Sequence, residues 1–274
     1  MDIDTRCSQM MEDLMKSPLE RNLTGRPEDS MQMQEEIQTS KVLAAELCKA
    51  IRSGSVLDFV EALKETAVTD KKHVSSIVGQ VSNAGNTVLH MAAYYGKVEI
   101  LQLLATHVPQ LITRRNNTGD TVLHIAARNW DESSIHIILS CYKRHFENKY
   151  LKKENNEEAL WRMRNEHGNT PLHEAVVMAY GGPVEVAEIL FEEDEGGAHL
   201  ENKEGKSPLC LAIQNRNYKV ARLLLQAPFP NGERHRGSCP LHAENSGFPK
   251  DSALWSEGIQ TSKFLASNPF WVRN

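Results

Sequence analysis

The chain has 274 residues, 40 % hydrophobic and 24 % charged, with a formal net charge of −5 and a pI near 6.1. That acidic balance argues against non-specific binding to nucleic acid or an anionic membrane surface, both of which draw on positive charge. Five scattered cysteines (Cys7, Cys48, Cys141, Cys210, Cys239) with no C-x-x-C pair fit reduced thiols rather than a disulfide or zinc framework.

Residues 1–38 are rich in Met, Gln, Glu, Asp and Ser, are broken by Pro18 and Pro27, and show no sustained periodicity. They read as a disordered or loosely helical leader, within which Met10, Met11, Leu14 and Met15 stand at the spacing of one helical turn that docks on a partner. Asp2 stands where myristoylation needs glycine. There is no apolar signal-peptide region, and no run approaches the apolar length of a membrane span. The expectation is a cytoplasmic chain with no transmembrane segment.

From residue 39 the pattern turns helical. Val42, Leu43, Leu47 and Ile51 share one face, Ser53-Gly54-Ser55 breaks the run, and Val56, Phe59, Val60 and Leu63 mark a second helix. Residues 39–66 thus read as a helix–turn–helix unit of the kind that follows, and 67–84 as the lead into it.

Four segments then repeat one phrase, at 85–93, 119–127, 168–176 and 205–213, and a damaged fifth copy begins at Gly237. Their aligned Thr or Ser positions are 87, 121, 170 and 207, in steps of 34, 49 and 37. Self-similarity near 33 residues is the mark of stacked repeats, which bury apolar surface between neighbours rather than in one large core. In each phrase the glycine permits positive φ in a turn, and Thr87, Thr121, Thr170 or Ser207 caps a helix. Pro171 and Pro208 suit the first helical position. Apolar stripes at Val98/Leu101/Leu104, Ile135/Ile138/Leu139, Val184/Ala187/Ile189/Leu190 and Tyr218/Ala221/Leu224/Leu225 predict a second helix in each unit.

The long step places an insertion within 142–165, with mixed charge and aromatics, which reads as an elongated second helix followed by an excursion. The fifth phrase fails at Gly247 and Pro249, so 231–274 reads as a degenerate signature and a poorly ordered tail.

The chemistry-bearing residues do not assemble into a catalytic motif. His173-Glu174 would open H-E-x-x-H, but position 177 is valine. There is no phosphate-binding glycine loop and no G-x-S-x-G elbow. The expectation is no enzyme, no cofactor and no metal.

The phrase resembles the T-P-L-H-x-A signature of ankyrin repeats over about 85–227, with 39–66 joining by topology. The resemblance implies an all-α ankyrin-repeat solenoid over 39–230, built of helix–turn–helix units joined by β-hairpin-like loops. It also implies that His90, His124 and His173 tie adjacent units, a role that Cys210 cannot fill. More narrowly, "GNTVLHMAAYYGKVEILQLL" and the charged insertion before "RNEHGNTPLHEAV" are similar to plant ankyrin proteins of the accelerated-cell-death type. Those carry a C-terminal membrane region, the PGG domain, which this sequence lacks.

The resemblance implies partner binding at loop tips and on the first helices. The tips are Asn83-Ala84, Asn117-Thr118, Glu166-His167 and Lys203-Glu204, and the helix residues are Tyr94, Tyr95, Arg128, Asn129, Trp130, Met178 and Tyr180. The function it implies is a scaffold or adaptor binding other proteins, in plant defence or stress signalling, at the cytoplasmic face of the plasma membrane through membrane-anchored ankyrin relatives. The alternative is a soluble form that competes with a full-length membrane protein. Partner identity and oligomeric state stay open.

Overall fold

The structure, a computed structural model, describes residues 3–16, 45–150, 159–177 and 184–227. The expectations for 17–44, 151–158, Met178, Tyr180 and 228–274 lie outside the described residues. The chain divides into two compact units, residues 1–166 and 167–274.

Unit 1 begins with α1 (Ile3–Lys16). Three helix pairs follow: α2 (Ala45–Ser53) with α3 (Val56–Asp70), α5 (Val88–Tyr94) with α6 (Val98–His107), and α7 (Val122–Arg128) with α8 (Glu132–Tyr150). A short helix α4 (Val74–Val78) leads from the first pair into the second. The first helices α2, α5 and α7 pack successively to form one layer, and the second helices α3, α6 and α8 form the other. Unit 2 repeats the plan with α9 (Pro171–Val177), α10 (Glu185–Glu193), α11 (Pro208–Gln214) and α12 (Tyr218–Leu224). Among the described residues the fold is an all-α stack of helix–turn–helix units.

The first helices α5, α7, α9 and α11 are each seven residues long and start at a Thr or Ser. Thr87 and Ser207 accept from the backbone N–H three residues on, at 3.4 and 3.2 Å. Leu89, Leu123, Leu172 and Leu209, two residues past the cap position, are buried, and Ala92-Ala93 and Ala126-Ala127 are fully buried where the helices meet. Full burial of a leucine side chain contributes about 1.5–3 kcal/mol, so one unit is marginal and stability comes from stacking.

Three first helices, α5, α7 and α11, switch off by one device. The N–H of Lys97, Asp131 and Asn217 reaches back five residues to Ala92, Ala126 and Ala212 at 2.9–3.0 Å, closing a Schellman loop. Its pivot needs positive φ. Gly96 supplies it at 61°, whereas Trp130 and Arg216 adopt 55° without glycine's freedom. Second helices then start on side-chain caps in two of these units: Asp131 accepts from Ser134 N at 3.0 Å, and Asn217 from Val220 N at 3.2 Å.

Two expectations need correction. Residues 3–16 are not a disordered leader. They form a helix whose Cys7 and Met11 are buried against the body, α1 packing on α3, α4 and α6. Cys210 is disulfide-bonded, unlike the free thiols Cys7, Cys48 and Cys141.

The elongated second helix is α8, 19 residues long. The chain returns through a short 3-10 turn, Leu160–Arg162, where Leu160 is fully buried and Trp161 meets Tyr142 edge-on at 6.0 Å.

Candidate functional site

Within each unit adjacent repeats are joined at three levels, and these decide which side chains are left for a partner. The first is the signature histidine. His90 Nδ1 accepts from the Thr87 N–H at 3.3 Å and lies 2.8 Å from its hydroxyl. With Nδ1 an acceptor, the proton sits on Nε2, which donates to the Asp120 carbonyl in the next repeat at 3.1 Å. One neutral tautomer satisfies every contact. His173 repeats the arrangement, its Nδ1 accepting from Thr170 N and its Nε2 reaching the Lys206 carbonyl at 3.1 Å. His124 makes the same Nδ1 contacts with Thr121. Burial pushes the His90 imidazole down to about 4, against the opposing pull of the Asp120 carbonyl and carboxylate. At Cys210 only the Ser207 cap remains of this scheme.

The second level is a ladder of loop tips whose rungs are backbone hydrogen bonds, joined at the first tip pair by Asn117 Nδ2 donating to the Asn83 carbonyl at 3.0 Å. The Asn117 N–H donates to the Ala84 carbonyl at 3.1 Å, and the Glu166 N–H to Thr118 at 2.9 Å; in unit 2 the Lys203 N–H donates to His167 at 3.0 Å. Here the signature glycine does more than permit its φ. A Cβ on Gly85 would sit 2.7 Å from the Asn117 backbone nitrogen, and one on Gly168 equally close to that of Lys203. Any side chain would drive the tips apart.

The third level is an asparagine ladder that the sequence reading does not contain. Asn116 Nδ2 donates to Asn86 Oδ1 at 2.9 Å, and Asn202 Nδ2 to Asn169 Oδ1 at 2.8 Å. Asn165 Nδ2 donates to the Asp120 carboxylate at 2.9 Å. The Oδ1 of Asn116 and of Asn202 also accepts from backbone N–H groups of its own loop, fixing the turn. The available signal was an Asn three residues before the glycine, in Asn116-x-x-Gly119, Asn165-x-x-Gly168 and Asn202-x-x-Gly205.

Asp120 carries a charge into this ladder. Arg128 binds it through one nitrogen at 3.0–3.1 Å, and the Thr118 hydroxyl donates at 2.9 Å. Burial would push the carboxyl up, but the Asn165 hydrogen bond, the Arg128 guanidinium and Thr118 together hold it below its ordinary value.

The candidate partner residues therefore divide. Arg128 and Thr118 are engaged by Asp120. Asn129 donates to the carbonyls of Ala93 and Tyr94, both at 3.2 Å, closing the end of the preceding first helix; Asn215 does the same for Val176 and Val177. Tyr95 fills the equivalent slot, its hydroxyl taking a 2.9 Å bond from Arg52 Nε. Trp130 is the half-buried Schellman pivot. Tyr94 is 64 % exposed and rests edge-on against Tyr95. Asn117, His167 and Lys203 are exposed at the tips.

Among the described residues no cluster of three or more His, Cys, Asp or Glu side chains is placed to hold a metal ion. Burial pushes the Cys48 thiol up, against the pull of Arg52, the wrong direction for a nucleophile. No described helix is long and apolar enough to cross a membrane.

Against known families, the one described as "Ankyrin repeats (3 copies)" matches residues 47–149, and the one described as "Ankyrin repeat" matches 167–203 and 204–231. No curated protein matches the chain.

Proposed function

The chain belongs to the ankyrin-repeat proteins, and from that membership we propose that it is a non-catalytic adaptor binding other proteins through its loop tips and first helices. Ankyrin repeats support a protein–protein interaction role. The observation that carries the choice of surface is exposure on a locked backbone. Asn117, His167 and Lys203 are exposed, while backbone groups of Asn117, His167 and Lys203 are paired in the tip ladder. A partner meeting such tips loses little further backbone entropy on binding. Tyr94 adds an exposed aromatic of the kind that dominates interface energetics.

The test is quantitative affinity capture with three full-length baits: wild type, Tyr94→Ala/Lys203→Glu, and a control with Lys219→Glu on α12. The double variant should lose the captured partners, and the control should keep them, with both folded to within about 1 kcal/mol of wild type. Equal capture by all three baits sinks the assignment of this surface.

Within that reading we place the chain in plant defence or stress signalling, in the cytoplasm or at the cytoplasmic face of the plasma membrane through its partners. The support is the similarity of the 85–104 phrase and of the charged insertion to plant proteins of the accelerated-cell-death type. A fluorescent fusion excluded from the cytoplasm of plant cells counts against it. On the same similarity, the second reading is a soluble form that competes with a membrane-anchored ankyrin relative. It requires that the two displace one another from a common partner.

A further inference from the structure

One register position recurs along the first helices of unit 1. Arg52, Tyr94 and Arg128 each stand two residues before a positive-φ pivot, Gly54 at 83°, Gly96 at 61° and Trp130 at 55°. Helix α2 packs on α5 and α5 on α7, so the three positions form a row across the layer. The charge of Arg128 is met by Asp120. Arg52 has no such counterpart: among the described residues no carboxylate pairs with it. It is exposed, yet it is held in place. Its Nε donates to the Tyr95 hydroxyl at 2.9 Å, and its Cζ lies 5.5 Å from the centre of the same ring. Tyr95 in turn meets Tyr94 edge-on at 5.1 Å, and Tyr94 is 64 % exposed. The bond to Tyr95 takes only Nε, and the two Nη groups make no hydrogen bond to the described residues. On the same helix Lys49, one turn back, is also exposed, and the acid Glu46 lies a turn further away.

We propose that Arg52 and Tyr94 together receive an extended segment of a partner protein that carries an aspartate or glutamate and, two residues on, an apolar side chain. The inference rests on the first helices being a partner surface and names what that surface selects. A guanidinium offers a carboxylate two parallel N–H donors, and the fork formed by Nη1 and Nη2 is the edge that Tyr95 leaves open. Tyr95 already holds the group by a hydrogen bond and by its ring face, so less side-chain freedom is lost when the carboxylate arrives. One fixed guanidinium matches one carboxylate. A phosphate dianion calls for a second fixed cation, and Lys97 is folded over Gly54, its Nζ 3.0 Å from the place of a Cβ there. In an extended segment, side chains two residues apart share a face at about 6–7 Å. That span fits the path from the Arg52 guanidinium across Tyr95 to the Tyr94 ring. The apolar side chain covers the exposed ring, and tyrosine and arginine are the residue types that anchor interfaces.

The probe is a random library of short peptides displayed on phage and panned against the full-length chain as wild type, Arg52→Gln and Arg52→Glu. Wild type should enrich Asp or Glu two positions before an apolar residue. Arg52→Gln should lose the acidic preference, and Arg52→Glu should turn it to Lys or Arg. A synthetic copy of the most enriched wild-type peptide should bind Arg52→Gln about tenfold or more weakly in fluorescence anisotropy. Its acid-to-lysine version should recover binding on Arg52→Glu, which a merely structural role of Arg52 would not produce. An acidic preference that survives Arg52→Gln overturns the proposal. So does tenfold tighter binding with phosphoserine in place of the acid, which makes the occupant a phosphopeptide. A wild-type dimer in sedimentation that Arg52→Gln dissolves makes the occupant a second copy, and enriched sequences that copy a stretch of this chain make it the chain itself; either result overturns the proposal. Peptides with no acidic preference that Lys203→Glu abolishes overturn it too, and leave the tip surface standing. No enrichment on wild type overturns both readings.

Discussion

Acid should loosen the ties between units, and His90 gives the size of the effect. In the fold its imidazole is fully buried, neutral and held near pKa 4; in the unfolded chain it returns to about 6.5. Below 6.5 the unfolded state takes up a proton that the folded state refuses. The stability tied to this group is therefore fully present above 6.5 and falls away as pH drops toward 4. One pKa unit corresponds to about 1.4 kcal/mol, so the loss should reach about 2 kcal/mol at pH 5 and about 3 kcal/mol near pH 4. That is a large fraction of the few kcal/mol by which a small repeat unit is stable. The assay is urea unfolding at pH 7.0, 6.0 and 5.0 on wild type and His90→Gln. The glutamine variant starts less stable, having lost the tie to Asp120, but it should lose about 2 kcal/mol less between pH 7 and 5. Carboxylates titrate alike in both proteins and cancel in the difference. Parallel pH profiles would refute the reasoning, because the burial of His90 would then carry no proton linkage.

Two further perturbations separate backbone from contact and charge from shape. Gly96→Ala should cost about 1 kcal/mol, since its positive φ is the only obstacle and nothing lies within 4 Å of the added carbon. Gly85→Ala carries the same penalty plus the collision with the Asn117 nitrogen, and should cost on the order of 3 kcal/mol; equal losses in chemical unfolding would remove the tip ladder as the cause. Asp120→Ala should cost about 3 kcal/mol, because it removes the buried acceptor of the Asn165 amide and the charge opposite Arg128, whereas Asp120→Asn keeps an acceptor of the kind seen at Asn86 and should cost roughly half as much. Thermal unfolding of the two variants side by side decides the order.

The features legible in the sequence are those written within a few residues. Glycine, cap and leucine set α5, α7, α9 and α11, and the 49-residue step between Thr121 and Thr170 announced a longer second helix, observed as α8. What escaped is written across units. Asn116, Asn165 and Asn202 each look locally like ordinary turn residues, since asparagine bonds its own loop backbone anyway. Their second role appears only when a neighbouring loop, 30 to 45 residues away, comes alongside. Arg128 and Asn129 suggested a binding surface for the same reason: from sequence they are polar residues at a helix end, and their acceptors Asp120, Ala93 and Tyr94 become visible only in three dimensions. The leader misled differently. Its apolar cluster was visible, but the helices that receive Cys7 and Met11 lie beyond residue 55, and no local signal points to them.

Because the rungs at the tips run from backbone nitrogen to backbone oxygen, they are indifferent to which side chains the tips carry. Substitutions at Asn83, Glu166, His167, Lys203 or Glu204 draw on a different account from those at Gly85 or Gly168. Selection, or a protein engineer building a library at these positions, is free to search for new partners almost without regard to folding, while the glycines beneath tolerate almost no variation. Versatility in what is recognised and rigidity in how it is presented come from the same row of hydrogen bonds.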